Sequence, residues 1–416
     1  MIVMYSMTTT APRDLRFDPM DPSYVKDPYP LFARFRKEAP VLHWELGGGP
    51  IFFRYRDVLA IMRDPRLGND PTLGAGLHAD MKAAYPDFAA QVEHSLFYAE
   101  GAWHARIRKL VNPAFGPRAI EAHRPKVKAI IDALLDELPR EGEINVSADF
   151  NRKFPVQVIS SILNIPPHHQ GDFIAYSDAL IATALPGLPP ELFASYMPAF
   201  SRGCAIVREC IAARRAEPIE DDLLSQLVAA CDEGDRLSDA ELVALVGALL
   251  AGGTDTTVHG TNNTMLSLLR NPAQYALLRE NPGLARSAFE EALRLEGIQR
   301  VPLVRYAKEP LSLEGIHIER GKPVFFALLS ALRDPEYLAD ADVYDIRRQV
   351  PGTTLWFGHG AHFCLGASLA RMEAEIALQA FFERYPKVEL AGEPVYGSQP
   401  ILRNIDNLPL RVSASA

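Results

Sequence analysis

Apolar residues return at helical spacing along most of the chain, so a mainly helical protein is expected. The clearest stretch opens at Ser238-Asp239-Ala240-Glu241, an S-x-x-E capping box ahead of a long apolar run. That helix should continue to about Arg270, where Asn271-Pro272 stops it. A second helical pattern fills 367–385, directly after a glycine-rich loop. Residues 21–40 read as a proline-bounded loop and a short amphipathic helix, and 41–55 alternate around Gly47-Gly48-Gly49 as a β-hairpin would. The stretch 67–97 is rich in Gly, Pro and small residues with weak periodicity, which suits an irregular surface segment. Pro186, Pro189 and Pro190 interrupt two helical patterns within 179–196. His168 and His169 follow Pro166-Pro167 in a turn and read as solvent-exposed, without chemistry.

Composition narrows the class. A chain of 416 residues with 48% hydrophobic residues can bury a large core. No linker, charge block or repeat divides it, so a single large domain over 21–416 is expected after a flexible segment 1–20. The net charge of −9 argues against a general nucleic-acid binder, which would show basic stripes. Cys204, Cys210, Cys231 and Cys364 lack the paired spacing of a secreted scaffold, and a reducing cytoplasm fits them best. The apolar start, 1–7, is far shorter than the roughly 20 residues of a membrane span and lacks a basic leader, so neither anchor nor signal peptide is expected. Met7, ahead of Thr8-Thr9-Thr10, could be the true start.

The chemistry concentrates in four places. Phe357-Gly358-His359-Gly360-Ala361-His362-Phe363-Cys364-Leu365-Gly366 sets one cysteine in a glycine loop at a helix N-terminus, where a thiolate is favoured and could bind a metal. His359 and His362 could join it around zinc, but a fourth ligand has no evident source; a free core cysteine is the bland alternative. Ala251-Gly252-Gly253-Thr254-Asp255-Thr256-Thr257 lies inside the long helix. Two helical glycines cost roughly 1 kcal/mol each against alanine, so either close helix packing or room for a ligand must compensate. The Thr256 hydroxyl can bond the carbonyl one turn back or leave it free. His104 and Arg108 stand four apart and can reach one anion, although such pairs are usually a solvated face. Glu291 and Arg294 form an E-x-x-R pair, ordinarily worth a few tenths of a kcal/mol.

Phe357, Gly360, Cys364 and Gly366 together, as F-x-x-G-x-x-x-C-x-G, resemble the haem-binding signature of the cytochromes P-450. The resemblance spans about 21–412 and implies a mainly α protein with small β-sheets, the cytochrome P-450 fold, with a long central helix over the haem. It implies heme b held by the Cys364 thiolate, with Phe357, Gly360 and Gly366 shaping the loop and His104, Arg108, Arg305 and His362 binding the propionates. Gly252 and Gly253 would leave space for O2, and Asp255 with Thr256 would form the acid–alcohol pair. Glu291, Arg294 and Arg348 would be a structural triad bracing the cysteine loop. The distal pocket would be lined by Ala248, Ala251, Gly252, Ile298, Val301, Leu303, Ile401 and Leu402, which suits a large lipophilic substrate. Residues 67–97 would cover the substrate and 179–196 would act as a lid.

The implied reaction is monooxygenation: one atom of O2 enters a C–H bond or an alkene, with electrons from NAD(P)H through a ferredoxin or flavodoxin and its reductase. Arg108, Lys109, Arg118 and Arg371 could meet such an acidic partner or be ordinary solvated charges. An H2O2-dependent peroxygenase and a non-catalytic haem-binding sensor or recruitment module are the alternatives; Asp255 and Thr256 count against both. Three positions depart from the usual pattern: Gly297-Ile298 for Pro-Val, Leu332 for asparagine and Tyr344 for phenylalanine. A narrower likeness, carried by 237–257, the run from Ser330 and 403–408, is to myxobacterial macrolide-epoxidising members. It favours a polyketide macrolide, with fatty acids, terpenoids and steroids also fitting.

Overall fold

The computed structural model describes residues 15–74, 79–220, 222–232, 237–350 and 354–415. The readings made for 1–14 lie outside the described residues. The chain groups into two compact units, Met1–His78 with Gln299–Asp342 and Ala79–Ile298 with Val343–Ala416.

The first unit is built on a five-stranded sheet in the order Val41–Trp44, Gly49–Phe52, Pro323–Phe326, Leu303–Ala307, Leu67–Gly68. The first two strands form the expected hairpin, pairing Val41 with Phe52 and Trp44 with Gly49, and Gly48 takes the left-handed backbone (φ +69) that the turn demands. Helix Tyr29–Glu38 begins after Pro28 and buries Phe32 and Phe35. Phe35 stacks on Phe53 at 4.4 Å, and Trp44 meets Phe325 edge-on at 4.9 Å. Leu15 and Phe17 are buried as well, so packing reaches ahead of residue 21. Leu332 is fully buried, which suits its apolar side chain.

The second unit surrounds the helix Asp239–Arg270. Both halves of its capping box are formed, Ser238 with the Glu241 N–H and Glu241 with the Ser238 N–H, and it ends at Asn271 as expected. It is long and apolar enough to cross a membrane, but 78% of its most apolar window is buried inside the protein, which makes it a core helix. Helices Phe154–Ile162, Gln170–Ala182, Ala285–Leu295 and Ala367–Arg384 pack around it. Tyr176 is keyed between helix Pro190–Ala216 and the long helix: a Cβ at Gly203 or Gly247 would overlap its ring or hydroxyl. A three-stranded sheet, Glu141–Asn145, Pro409–Ser413 and Lys387–Leu390, closes the unit's edge.

Several local expectations change. The 67–97 stretch contains helices Ala79–Ala84 and Pro86–His94, and the proline break is confined to 183–189 because Pro190 starts helix Pro190–Ala216. His168 is exposed but His169 is largely covered, with its ring 6.3 Å from Phe173. Gly297 has φ +51, and its N–H reaches the Ala292 carbonyl at 3.1 Å. It therefore closes helix Ala285–Leu295 in a conformation that proline cannot adopt. The Tyr344 hydroxyl, buried, donates to the Ala288 carbonyl at 3.0 Å, a bond phenylalanine could not make.

Candidate active site

The cysteine loop is held by its own backbone. The Cys364 N–H donates to the Phe357 carbonyl at 2.8 Å and the Phe363 N–H to Gly360 at 3.1 Å, with Gly358 (φ +81) and Gly360 (φ +69) left-handed. Arg371 lies over the Phe357 ring at 4.4 Å and donates to Glu290 at 2.7 Å, tying the loop to the next helix. The Cys364 side chain is open to solvent, yet enough protein surrounds it that burial pushes its thiol pKa up. The Gly366 and Ala367 N–H groups, Arg108 and Arg371 pull the other way. The thiolate expected from the helix N-terminus alone is thus opposed by burial; a cation at the sulfur would reverse the balance. Among the described residues no group of three His, Cys, Asp or Glu is placed to hold a metal ion.

Beside the loop, three basic groups converge. The rings of His104 and His362 are 4.3 Å apart, and Arg108 donates to the Phe363 carbonyl at 3.1 Å. His104 is pushed down to about 4 by burial, His362 and Arg108, with Glu100 as the opposing charge. Arg305 belongs to the other unit, on strand Leu303–Ala307, where it lies 5.4 Å over Phe326.

The long helix resolves the two explanations for its glycines, one for each. A Cβ on Gly253 would stand 3.1 Å from Ile159 Cγ1 and 3.2 Å from its Cβ, so Gly253 admits a neighbouring helix and leaves no space for O2. Gly252 is exposed and would meet only Phe97, at 3.8 Å. Thr256, one turn on and half-buried, donates to the Gly252 carbonyl at 2.7 Å, so Gly252 and Thr256 mark one open face on an otherwise packed helix. Phe97, 50% exposed, faces this opening and had no signal in the sequence beyond its place in a loop.

Asp255 points elsewhere. It is 2% exposed and accepts a hydrogen bond from Ser177 at 2.5 Å, while its Oδ1 has no partner. Burial and Asp178 raise its pKa to about 7, against Ser177 and Arg152. The expected acid–alcohol pair is adjacent in sequence but no hydrogen bond joins the two side chains among those described. Ser177, which sequence reading missed, carries no motif and is identified only by helix packing.

The triad does assemble. Arg294 donates twice to Glu291 at 2.8 Å, Arg348 donates to the same carboxylate at 2.8 Å, and both guanidiniums also reach the Val343 carbonyl. Of the expected pocket residues, Ala248, Ala251, Val301 and Leu402 are buried and Ile298, Leu303 and Ile401 half-buried. Ala251, at 1% exposure, serves helix packing rather than an open wall. Val301 and Leu303 belong to the first unit and the others to the second. Of the four basic residues read as a partner face, Arg371 is engaged by Glu290 and Phe357, and Lys109 and Arg118 are exposed.

A family model described as Cytochrome P450 matches residues 182–395. The epothilone C/D epoxidase of Sorangium cellulosum is 37% identical over 395 residues, covering 94% of each chain. The chain belongs to the cytochrome P450 family. The vitamin D(3) 25-hydroxylase of Pseudonocardia autotrophica is 34% identical, covering 97% of this P450 and 98% of that enzyme. The structure of epothilone B-bound cytochrome P450epoK matches with a TM-score of 0.91 at 36% identity, covering 96% of this chain and all of that one. The protein is therefore a haem-thiolate monooxygenase that uses O2 and draws electrons from NAD(P)H through partner proteins. The residues present fit the haem: Cys364 is open, a Cβ on Gly360 or Gly366 would meet nothing within 4 Å, and the Arg108 guanidinium stands with the His104 and His362 rings, a cation and two imidazole donors suited to carboxylates.

Proposed function

We propose that this P450 hydroxylates or epoxidises a large lipophilic polyketide macrolide in the cytoplasm, with reducing equivalents from a ferredoxin or flavodoxin and its reductase. The Gly252–Thr256 face carries the reading, because it is the open stretch of a helix packed elsewhere and an apolar ring, Phe97, borders it. Relatives named epothilone C/D epoxidase and 6-deoxyerythronolide B hydroxylase support the substrate class.

Cys364 is the residue assigned to the iron, and His104, Arg108, His362 and Arg305 are assigned to the propionates. The bound haem supplies O2 activation, with the thiolate pushing electron density toward O–O cleavage. Gly252 leaves room on the helix face, and the Thr256 hydroxyl, free to turn from the Gly252 carbonyl, offers a proton there. Asp255, titrating near 7, can take up and release a proton close to neutral pH. Phe97 limits water at the opening. Exposed Lys109 and Arg118 offer cations to an acidic electron donor.

The test is a titration of the haem-loaded ferric protein with a macrolide lactone, a fatty acid, a terpene and a secosteroid, following the spin state. A saturable low-to-high-spin shift with the lactone is expected. A shift with the secosteroid alone would replace the macrolide reading.

A further inference from the structure

Asp255 is a buried acid whose side chain accepts, among the described residues, from Ser177 of a different helix. Ser177 Oγ lies 2.5 Å from Asp255 Oδ2 and 3.3 Å from the Ala251 carbonyl. A hydroxyl has one hydrogen to give and lone pairs to receive, and a helix carbonyl keeps a second lone pair. With Asp255 ionised, the Ser177 hydrogen goes to Oδ2. With Asp255 neutral, the acid O–H donates to Ser177 Oγ and the serine hydrogen turns to the Ala251 carbonyl. We propose that Ser177 is a positioning residue for Asp255, a reversible link that lets the acid take up and release one proton while only a hydroxyl hydrogen moves. One O–H bond forms at Oδ2 as one O–H bond of a solvent hydronium ion breaks, and release of the proton back to water is the reverse.

The surroundings favour this role. Ser177 is fully buried, and Tyr176 beside it is wedged against Gly203 and Gly247. The Tyr176 hydroxyl donates to Gln91 at 3.3 Å, and Gln91 donates to the Ala244 carbonyl at 3.0 Å. Charged groups lie on the other side: Asp178 is 3.3 Å from Arg152, which lies 3.7 Å from Asp406, and all three reach solvent. His259, one helical turn beyond Asp255, is buried and held neutral by burial and Arg152. Asp255 thus feels the charges of a partly exposed ion-pair cluster, Asp178 and Arg152, from the helix turn that follows Gly252.

The inference rests on Asp255 being the acid of the oxygenation site, and the test separates the two. In the full-length haem-loaded protein, the infrared C=O band of the protonated carboxyl is titrated with pH and assigned by its loss in Asp255→Asn. Ser177→Ala removes the hydrogen bond that favours the charged form, so the midpoint should rise by about one to two pH units. Ser177→Thr should restore it, and Ser177→Cys, nearly the shape of serine, should fall between and carries the test if the alanine variant does not fold. Peroxide released per NADPH, with a surrogate ferredoxin, should shift along pH in the same direction. A wild-type midpoint in Ser177→Ala overturns the role of Ser177. A band that survives in Asp255→Asn overturns the assignment of the acid and the link with it.

Discussion

Residues 255 and 256 are neighbours in the chain but about 100° apart around the helix, and that angle separates their chemistry. Thr256 borders the open face; Asp255 is sealed against Ser177. Thr256→Ala should leave the fold intact, since its hydroxyl bonds only within its own helix, while product per O2 falls several-fold and peroxide rises. Equal coupling in the variant would remove Thr256 from proton delivery. Asp255 gives a pH prediction. Its pKa stands near 7 in the fold against an ordinary 3.8, so the fold binds its proton more tightly than the unfolded chain. The associated stability is full below the unfolded value and is lost as pH rises through about 7. Asp255→Asn escapes that loss and should be more stable than wild type at pH 8, by roughly 2–4 kcal/mol, with no such gain at pH 4. Thermal unfolding at both pH values decides it. Cys364, Asp255 and Thr256 could be picked out of the sequence as candidates because each sits in a short motif. Ser177 and Phe97 were not, since each reaches the site only through tertiary packing.

Among elements, the long helix was legible because a capping box, an apolar run and Asn271-Pro272 all agree on its limits. What its two glycines are for was not legible, because composition alone cannot say which face meets another helix. The structure makes them opposites, and substitution should show it. Gly252→Ala adds a Cβ into open space and gains helix propensity, roughly 1 kcal/mol, but crowds the face offered to O2 and substrate. Its melting temperature should rise while the spin shift weakens. Gly253→Ala presses on Ile159 Cβ, an atom that no rotamer change can move, so helix Phe154–Ile162 must shift. Overpacking of about 1–3 kcal/mol should outweigh the propensity gain and lower the melting temperature. The same sign for both variants would mean the two faces are not distinct.

Within the second unit, helix Ala285–Leu295 carries two adjacent acids that bind different partners. Glu290 pairs with Arg371, whose guanidinium covers Phe357 in the cysteine loop, and Glu291 gathers Arg294 and Arg348. The sequence indicated the second set only by resemblance, because an E-x-x-R pair is commonplace on exposed helices and nothing local shows that this one is buried. Burial changes its worth. Arg294 is fully buried, so removing the Glu291 charge takes from Arg294 and Arg348 the carboxylate that both bind. Breaking a buried pair in this way costs about 3–5 kcal/mol, a large part of the stability of an ordinary domain. Glu291→Gln keeps the shape and should still yield little haem-loaded protein, with the thiolate-type spectrum of the reduced CO complex reduced or lost. Asp136→Asn serves as the contrast. Its pair with Arg384 is exposed on the acid's side, at 76%, and should change stability by no more than about 0.5 kcal/mol. If Glu291→Gln melts like wild type and keeps its CO spectrum, the triad does not hold the cysteine loop, which then rests on its own backbone bonds, Arg108 and the Arg371 contact with Glu290.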